Sequence, residues 1–399
     1  MQSVGFRIVV VVGVLLAVAT VVWQFRAANY DDLCRQAMQQ RQWKELTRLS
    51  KAWSDAEPGD AESWMYRAEA ARHQEDSVSA DRFLGKVPPS SRFGIRALEA
   101  RIELQFGLLN QPLAAVESCQ ALLKCDSASK VAHQRLIFFF AFTLQRRKLM
   151  DEIRDAVTRG CEPREAYGYL FMADSLVLSN AGSQNARWLE SDPTSELFAV
   201  AQAIHIAETL EGQIPRDDPE ILATLKEAIE RRDRTLQELV QKYPQNLELL
   251  AFFLRLAMER GDVARVNELL LQSPDDAEFD NRFWRYRGWL LQSENHFGEA
   301  ESAYQHALKL HPLDWVTRHL LAGLKRRKGE LEEAGRLEQV VLQANQLRRQ
   351  FQQQENMRKI PPQLLKGLAE YSAQCQDLLI ADSLRLQLNR FGRSNGSRE

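Results

Sequence analysis

Apolar and polar residues alternate with two different rhythms along this chain. From Ile8 to Trp23 there is no alternation: sixteen residues, IVVVVGVLLAVATVVW, carry no charge. Val4, Phe6 and Phe25 extend the run to about 20 residues, the length a membrane-spanning helix needs. Arg7 can extend to the headgroups at one end, and Trp23 suits the interface at the other. In lipid such a segment must satisfy its own backbone, so a transmembrane helix over residues 4–25 is expected despite the β-branched run Val9–Val12. With only a short tail and Arg7 before it, the N-terminus is expected in the cytoplasm and the remainder exported, although Arg26 weakens the asymmetry. A cleaved signal peptide is the alternative. Ala17-Val18-Ala19 resembles a cleavage site but lies inside the run, and bulky Phe25 sits two residues before Ala27.

Beyond residue 26 the apolar positions recur at helical spacing almost throughout. A longer period lies over it. Gly261, Asn295 and Gly329 are 34 residues apart, and Val266, Ala300 and Ala334 follow at the same interval. The first set suits a left-handed turn between two helices, the second a close helix crossing. Within Phe283–Pro312 the residues Trp284, Gly288, Ala300, Tyr304, Ala307 and Pro312 keep fixed spacings. Nearer the N-terminus Trp64, Ala68 and Ala80 stand at matching intervals, and Pro88-Pro89 closes that stretch.

These residues resemble the tetratricopeptide repeat (TPR), whose signature runs W-x2-L-G-x2-Y, then A-x3-F, then P. Arg287 stands in place of the Leu and Leu291 in place of the Tyr. The resemblance implies an all-α fold, a TPR-like helix-pair solenoid winding as a right-handed superhelix after the transmembrane helix. Each helix pair buries its apolar face against the next. The best units are 247–280, 281–314 and 315–348. The organisation expected is an anchor (1–26), an N-terminal array (27–179), a loop or hinge (180–194) rich in loop formers, a C-terminal array (195–348), capping helices (349–390) and a disordered tail (391–399). A loop at Ile214–Asp218 precedes a helix opened by Pro219. Residues 92–128 and 129–163 read as helix pairs that lack most signature residues.

The resemblance also implies a concave groove lined by the first helix of each unit. Carried over by register, one unit supplies Glu248, Arg255, Met258 and Glu259. The next supplies Arg282, Arg285, Trp289 and Gln292, and the third His319, Arg326 and Arg327. Such a basic surface with an aromatic suits an acidic peptide or a terminal carboxylate. Some family members clamp a carboxylate with Lys and Asn. Arg285 can stand for one such cation, but Trp289 occupies a place where that clamp has Asn. The plainer alternative is a solvated helix face, with Lys325–Lys328 complementing a helix C-terminus.

Composition narrows the function classes. Hydrophobic residues make up 45% and charged residues 27%, a folded composition, and a net charge of −2 gives no reason to expect nucleic acid. The five cysteines are odd in number and widely spaced, which argues against a disulfide framework or a zinc site. The seven histidines form no i, i+4 pair, and no phosphate-binding, zinc-protease, nucleophile-elbow or calcium-loop motif occurs. No catalytic residue, metal or cofactor is expected. The expectation is a membrane-anchored, non-enzymatic scaffold that binds proteins or peptides, in the manner of cell-envelope repeat proteins. The alternatives are a tethered enzyme on a helical solenoid, such as a wall-cleaving glycosidase, and a secreted repeat protein.

Overall fold

The computed structural model describes residues 30–178, 180–211, 219–354 and 356–395. The segment expected to cross a membrane, the Ile214–Asp218 loop and residues 396–399 lie outside these. Among the described residues no helix is long and apolar enough to cross a membrane. The described chain is helical, with no strand.

Two compact units divide the chain, residues 1–132 and 133–399. In the first, α1 (30–39) and α2 (Trp43–Ala56), α3 (Ala61–His73) and α4 (Ser77–Leu84), and α5 (Gly94–Phe106) and α6 (Pro112–Cys125) follow one another as antiparallel pairs. Helix α7 (Lys130–Phe142) contains the division and pairs in sequence with α8 (Arg146–Arg159). The second unit continues with α9 (Glu165–Phe171), a 3-10 turn at Ala173–Ser175, α10 (Ala181–Ser191), α11 (Glu196–Glu211) and α12 (Pro219–Lys242). Four regular pairs complete it: α13 (Leu247–Glu259) with α14 (Val263–Leu271), α15 (Asn281–Ser293) with α16 (Phe297–Leu310), α17 (Trp315–Arg327) with α18 (Leu331–Gln352), and α19 (Pro362–Gln374) with α20 (Leu378–Asn395).

Each pair turns through one left-handed residue. These are Arg41, Glu75, Asn110 and Leu144, then Gly261, Asn295, Gly329 and Gln376. The first four are spaced 34, 35 and 34 residues apart, so the repeat geometry persists through residues 92–163 where signature residues are missing. Small residues sit at the crossings. Ala68, Ala80, Ala300, Ala307 and Ala334 are buried, and a Cβ at Gly288 would lie 2.6 Å from the ring of buried Tyr304. Trp284 does not fill the core as its signature position suggests. It is half-buried; its Nε1 donates to the Glu278 carbonyl at 2.8 Å, and its ring lies 4.1 Å from His306. Trp64 does the same with the Pro58 carbonyl at 2.8 Å, so both indoles fasten the entry to a pair. Pro312 follows the end of α16.

Three expectations are corrected. Residues 180–194 are not a loop but contain α10, because Trp188 and Ala181 are buried and Asn185 donates to the Phe142 carbonyl at 2.7 Å; tertiary burial overrides the local preference of Gly, Ser and Asn. The end of the second unit is not an open solenoid terminus. Arg154 on α8 pairs with Asp377 at 2.6 Å, Tyr167 on α9 shares a hydrogen bond with Ser383 at 2.7 Å, and Phe171 packs on Tyr371. The last helix pair therefore returns to α8 and α9, and the second unit closes on itself. Residues 391–395 are not a disordered tail but part of α20.

Candidate functional site

The site is built on the N-terminal turns of α13, α15 and α17. Each helix opens with a capping side chain, Asn246, Asp280 or Asp314, spaced 34 residues apart. Their oxygens accept from backbone donors that the first helical turn leaves free, at 2.9–3.1 Å. The two aspartates have a second role. Asp280 also takes the Arg282 guanidinium, at 2.6 Å from Nη2. Asp314 takes Arg285 Nη2 at 2.6 Å and Asn281 Nδ2 at 2.9 Å. Caps and arginines thus share one polar layer.

Neighbouring units are tied by the same layer. Arg282 and Glu248 occupy equivalent places 34 residues apart and form a two-point ion pair, both bonds 2.8 Å. Arg146 on α8 donates to Glu248 at 3.1 Å and to the Ala173 carbonyl. Asp174, on the 3-10 turn, accepts from Arg285 and from Asn281 Nδ2 at 3.0 Å. Arg255 bridges Glu208 on α11, at 2.9 Å, and Glu259, at 3.1 Å.

Burial sets the electrostatics. Arg282 and Arg285 have side chains only 6% and 5% exposed, which alone would lower their pKa values. Their carboxylate partners outweigh burial and hold both well above the ordinary arginine value. Burial works against charge on Asp174 too, yet Arg285, His311 and Arg282 overcome it and hold the carboxyl well below its usual range. Nearby His205 is pushed down to about 4 by burial and by the Arg146 charge, its Nε2 lying 3.1 Å from the Phe142 carbonyl.

These groups border a cavity of about 340 Å³. Its walls alternate charged side chains with apolar ones, among them Phe252, Met258, Trp315 and Val316. A second cavity of about 460 Å³ shares Arg146 and Glu248 with it, so the two form one continuous groove.

Of the residues placed in a groove by register, Glu248, Arg255, Met258, Glu259, Arg282 and Arg285 line the cavity. The others are elsewhere. Trp289 packs half-buried into the core of the α13–α15 layer, and Gln292 accepts from the Tyr304 hydroxyl at 3.0 Å. His319 and Arg327 are exposed, and Arg326 is exposed and paired with Glu338. The reason is position along the helices. The cavity meets the first turns of α15 and α17, and these residues lie one to three turns further on. Nor is the lining a free basic patch, because the carboxylates of the same layer neutralise Arg255, Arg282 and Arg285. Lys325 is likewise buried, held by Glu301, Glu330 and Glu333. Arg146, Asp174, Glu208, Trp315 and Arg348 complete the lining without having been foreseen. The 34-residue spacing of Asn246, Asp280 and Asp314, and of Glu248 and Arg282, is a signal visible in the sequence. Arg146, Asp174 and Arg348 stand outside that register and carry none.

No family model matches the chain, and no curated protein matches it. Several solved structures are similar in fold, all of them TPR-like helical repeat proteins. A tetratricopeptide repeat protein from Parabacteroides merdae is 15% identical, over 67% of this chain and 98% of that one, with a TM-score of 0.28. Yeast Tom70 is 13% identical, over 91% and 76%, with a TM-score of 0.28. A human IFIT1 dimer with m7Gppp-AAAA is 12% identical, over 92% and 77%, with a TM-score of 0.34. All three TM-scores are low, and the repeat assignment stands on the spacing of this chain's own turns.

Proposed function

We propose that this chain is a scaffold that holds a segment of a partner protein in the groove of its second unit, tethered to a membrane by residues 4–25. In this reading the N-terminus is cytoplasmic and the repeats are exported, in a bacterial cell envelope. The uncharged run and Arg7 support the tether. The observation that carries the binding role is the groove itself. Its walls are apolar between charged groups, and buried ion pairs hold them in a fixed arrangement before any ligand arrives. Binding rather than catalysis is supported by the state of the lining acid. Asp174 is kept charged by Arg285 and so offers no proton at neutral pH.

Photo-crosslinking in intact membranes tests this. A photoreactive residue at Val316, in the cavity wall, is expected to capture a discrete partner. The same residue at Ser302, on the exposed side of α16, is expected to capture none. Equal capture at both positions, or at neither, overturns the reading.

A further inference from the structure

The cavity contains five guanidiniums, and four of them are spoken for. Arg146, Arg255, Arg282 and Arg285 each bond a carboxylate of the second unit. Arg348, which reaches the cavity from α18, differs. Among the described residues it has no carboxylate partner, and its Nε is buried without a hydrogen bond. What it does have is Trp315, with the guanidinium carbon 5.2 Å from the ring centroid. Stacking on an indole orients the planar cation but leaves its in-plane donors unsatisfied. A buried donor left unmatched is costly, and a ligand acceptor removes that cost.

A second unmatched atom faces the same space. Asp174 Oδ2 is saturated by Arg285 and Asn281, but Oδ1 is buried with no donor. The wall therefore presents one donor set that calls for an anion and one acceptor that calls for an N–H group. Apolar Val316, Phe252 and Met258 share that wall. A peptide supplies all three: a carboxylate, a backbone amide and apolar side chains. The groove continues past Arg146 and Glu248 into the second cavity, so a chain can run through it and need not end there.

We infer that the groove takes an extended internal segment of a partner protein bearing a Glu or Asp side chain beside apolar residues. Arg348, held on Trp315, receives the carboxylate, and Asp174 Oδ1 receives a backbone N–H. This rests on the reading of the groove as a segment-binding site. It moves recognition away from the first-helix arginines, whose charge is already neutralised, to a second-helix arginine outside the repeat register.

The test uses the full chain in detergent micelles and fluorescence anisotropy with labelled eleven-residue peptide pools. All pools have Leu or Phe around a central position. One is capped at both ends with central Glu, one is capped with central Gln, and one has central Gln and a free C-terminus. The capped Glu pool is expected to bind about tenfold or more tightly than the capped Gln pool. Arg348→Gln and Trp315→Leu are expected to erase that preference while leaving the weaker binding of the Gln pool. Arg348→Lys is expected to restore part of it, and circular dichroism checks that each variant folds. Equal binding of the capped Glu and Gln pools, or a preference that survives Arg348→Gln, overturns the inference while the segment-binding reading stands. Binding of the free-carboxylate pool alone also overturns it, since the occupant is then a chain end. No binding by any pool overturns both.

Discussion

The two units share their turns and differ in what lies between them. In the first, apolar side chains such as Ala68, Ala80, Leu84 and Ala97 make the core between pairs, and charged pairs sit at the rim. Arg67 lies 3.7 Å from Asp55, whose side chain is 60% exposed, and Arg101 meets Asp81 at 3.0 Å with both partly exposed. In the second, the corresponding first helices carry Arg282 and Arg285 inward, against carboxylates that include fully buried Asp314. The turn geometry therefore defines the repeat, whereas the inner face of the first helix is free to vary. Where that face became polar and buried, a cavity formed.

The sharpest way to break this contrast is to remove one guanidinium from each unit. Arg285→Met leaves Asp174 and Asp314 charged and unmatched, and a loss of about 3–5 kcal/mol is expected in the second unit. Arg101→Met removes a partly exposed pair and is expected to cost about 1 kcal/mol or less in the first. Hydrogen exchange on the full chain, compared at α15–α17 and α5–α6, reads both. Equal losses would remove the distinction.

A smaller effect comes from pH. His205 in the second unit is buried and neutral, and the first unit has no buried histidine among its described residues. Because the folded value of His205 falls from 6.5 to about 4, the unfolded chain binds the extra proton in that window. The contribution of neutral His205 is complete above pH 6.5, falls as pH drops toward 4, and is level below it. Its size is on the order of 3 kcal/mol. Urea titrations followed at the second unit should show this slope, and His205→Gln should flatten it.

The smallest effect should be shared by both units. Gly261 has φ +70° and open space around a Cβ, so Gly261→Ala is expected to cost about 1 kcal/mol from the backbone alone. Glu75 occupies the equivalent turn at φ +62°, and Glu75→Gly is expected to give a smaller gain, read as a shift in Tm. If the two substitutions do not differ in sign, the turns are not equivalent.

The legible part of the fold followed from residues whose type matches their backbone. Gly261, Asn295 and Gly329 mark left-handed turns because Gly and Asn tolerate them, and their spacing set the register of three pairs. Arg41, Glu75 and Leu144 adopt the same conformation without that mark, so the earlier pairs were legible only as helices. Helix α10 was hidden because Gly182, Ser183 and Asn185 prefer loops in isolation, and only burial of Trp188 makes them helical. For the groove, register located Arg282 and Arg285 on the correct face. It could not show that Asp174, from a turn more than a hundred residues earlier, neutralises Arg285. Arg348 stayed hidden for the same reason: its place depends on the length of α18, not on the repeat.

The closure of the second unit has a consequence for synthesis and export. Arg154 and Asp377 are 223 residues apart, yet they join the two ends of that unit. Pairs in the first unit meet partners made moments earlier, so they can settle one after another as the chain emerges. The α8–α9 face, with Tyr167 and Phe171, has no such neighbour and waits until α19 and α20 have been delivered. Contacts of that span form slowly and leave apolar surface open meanwhile. The second unit is thus completed as a single late event, and the groove it encloses exists only once the last helix pair is home.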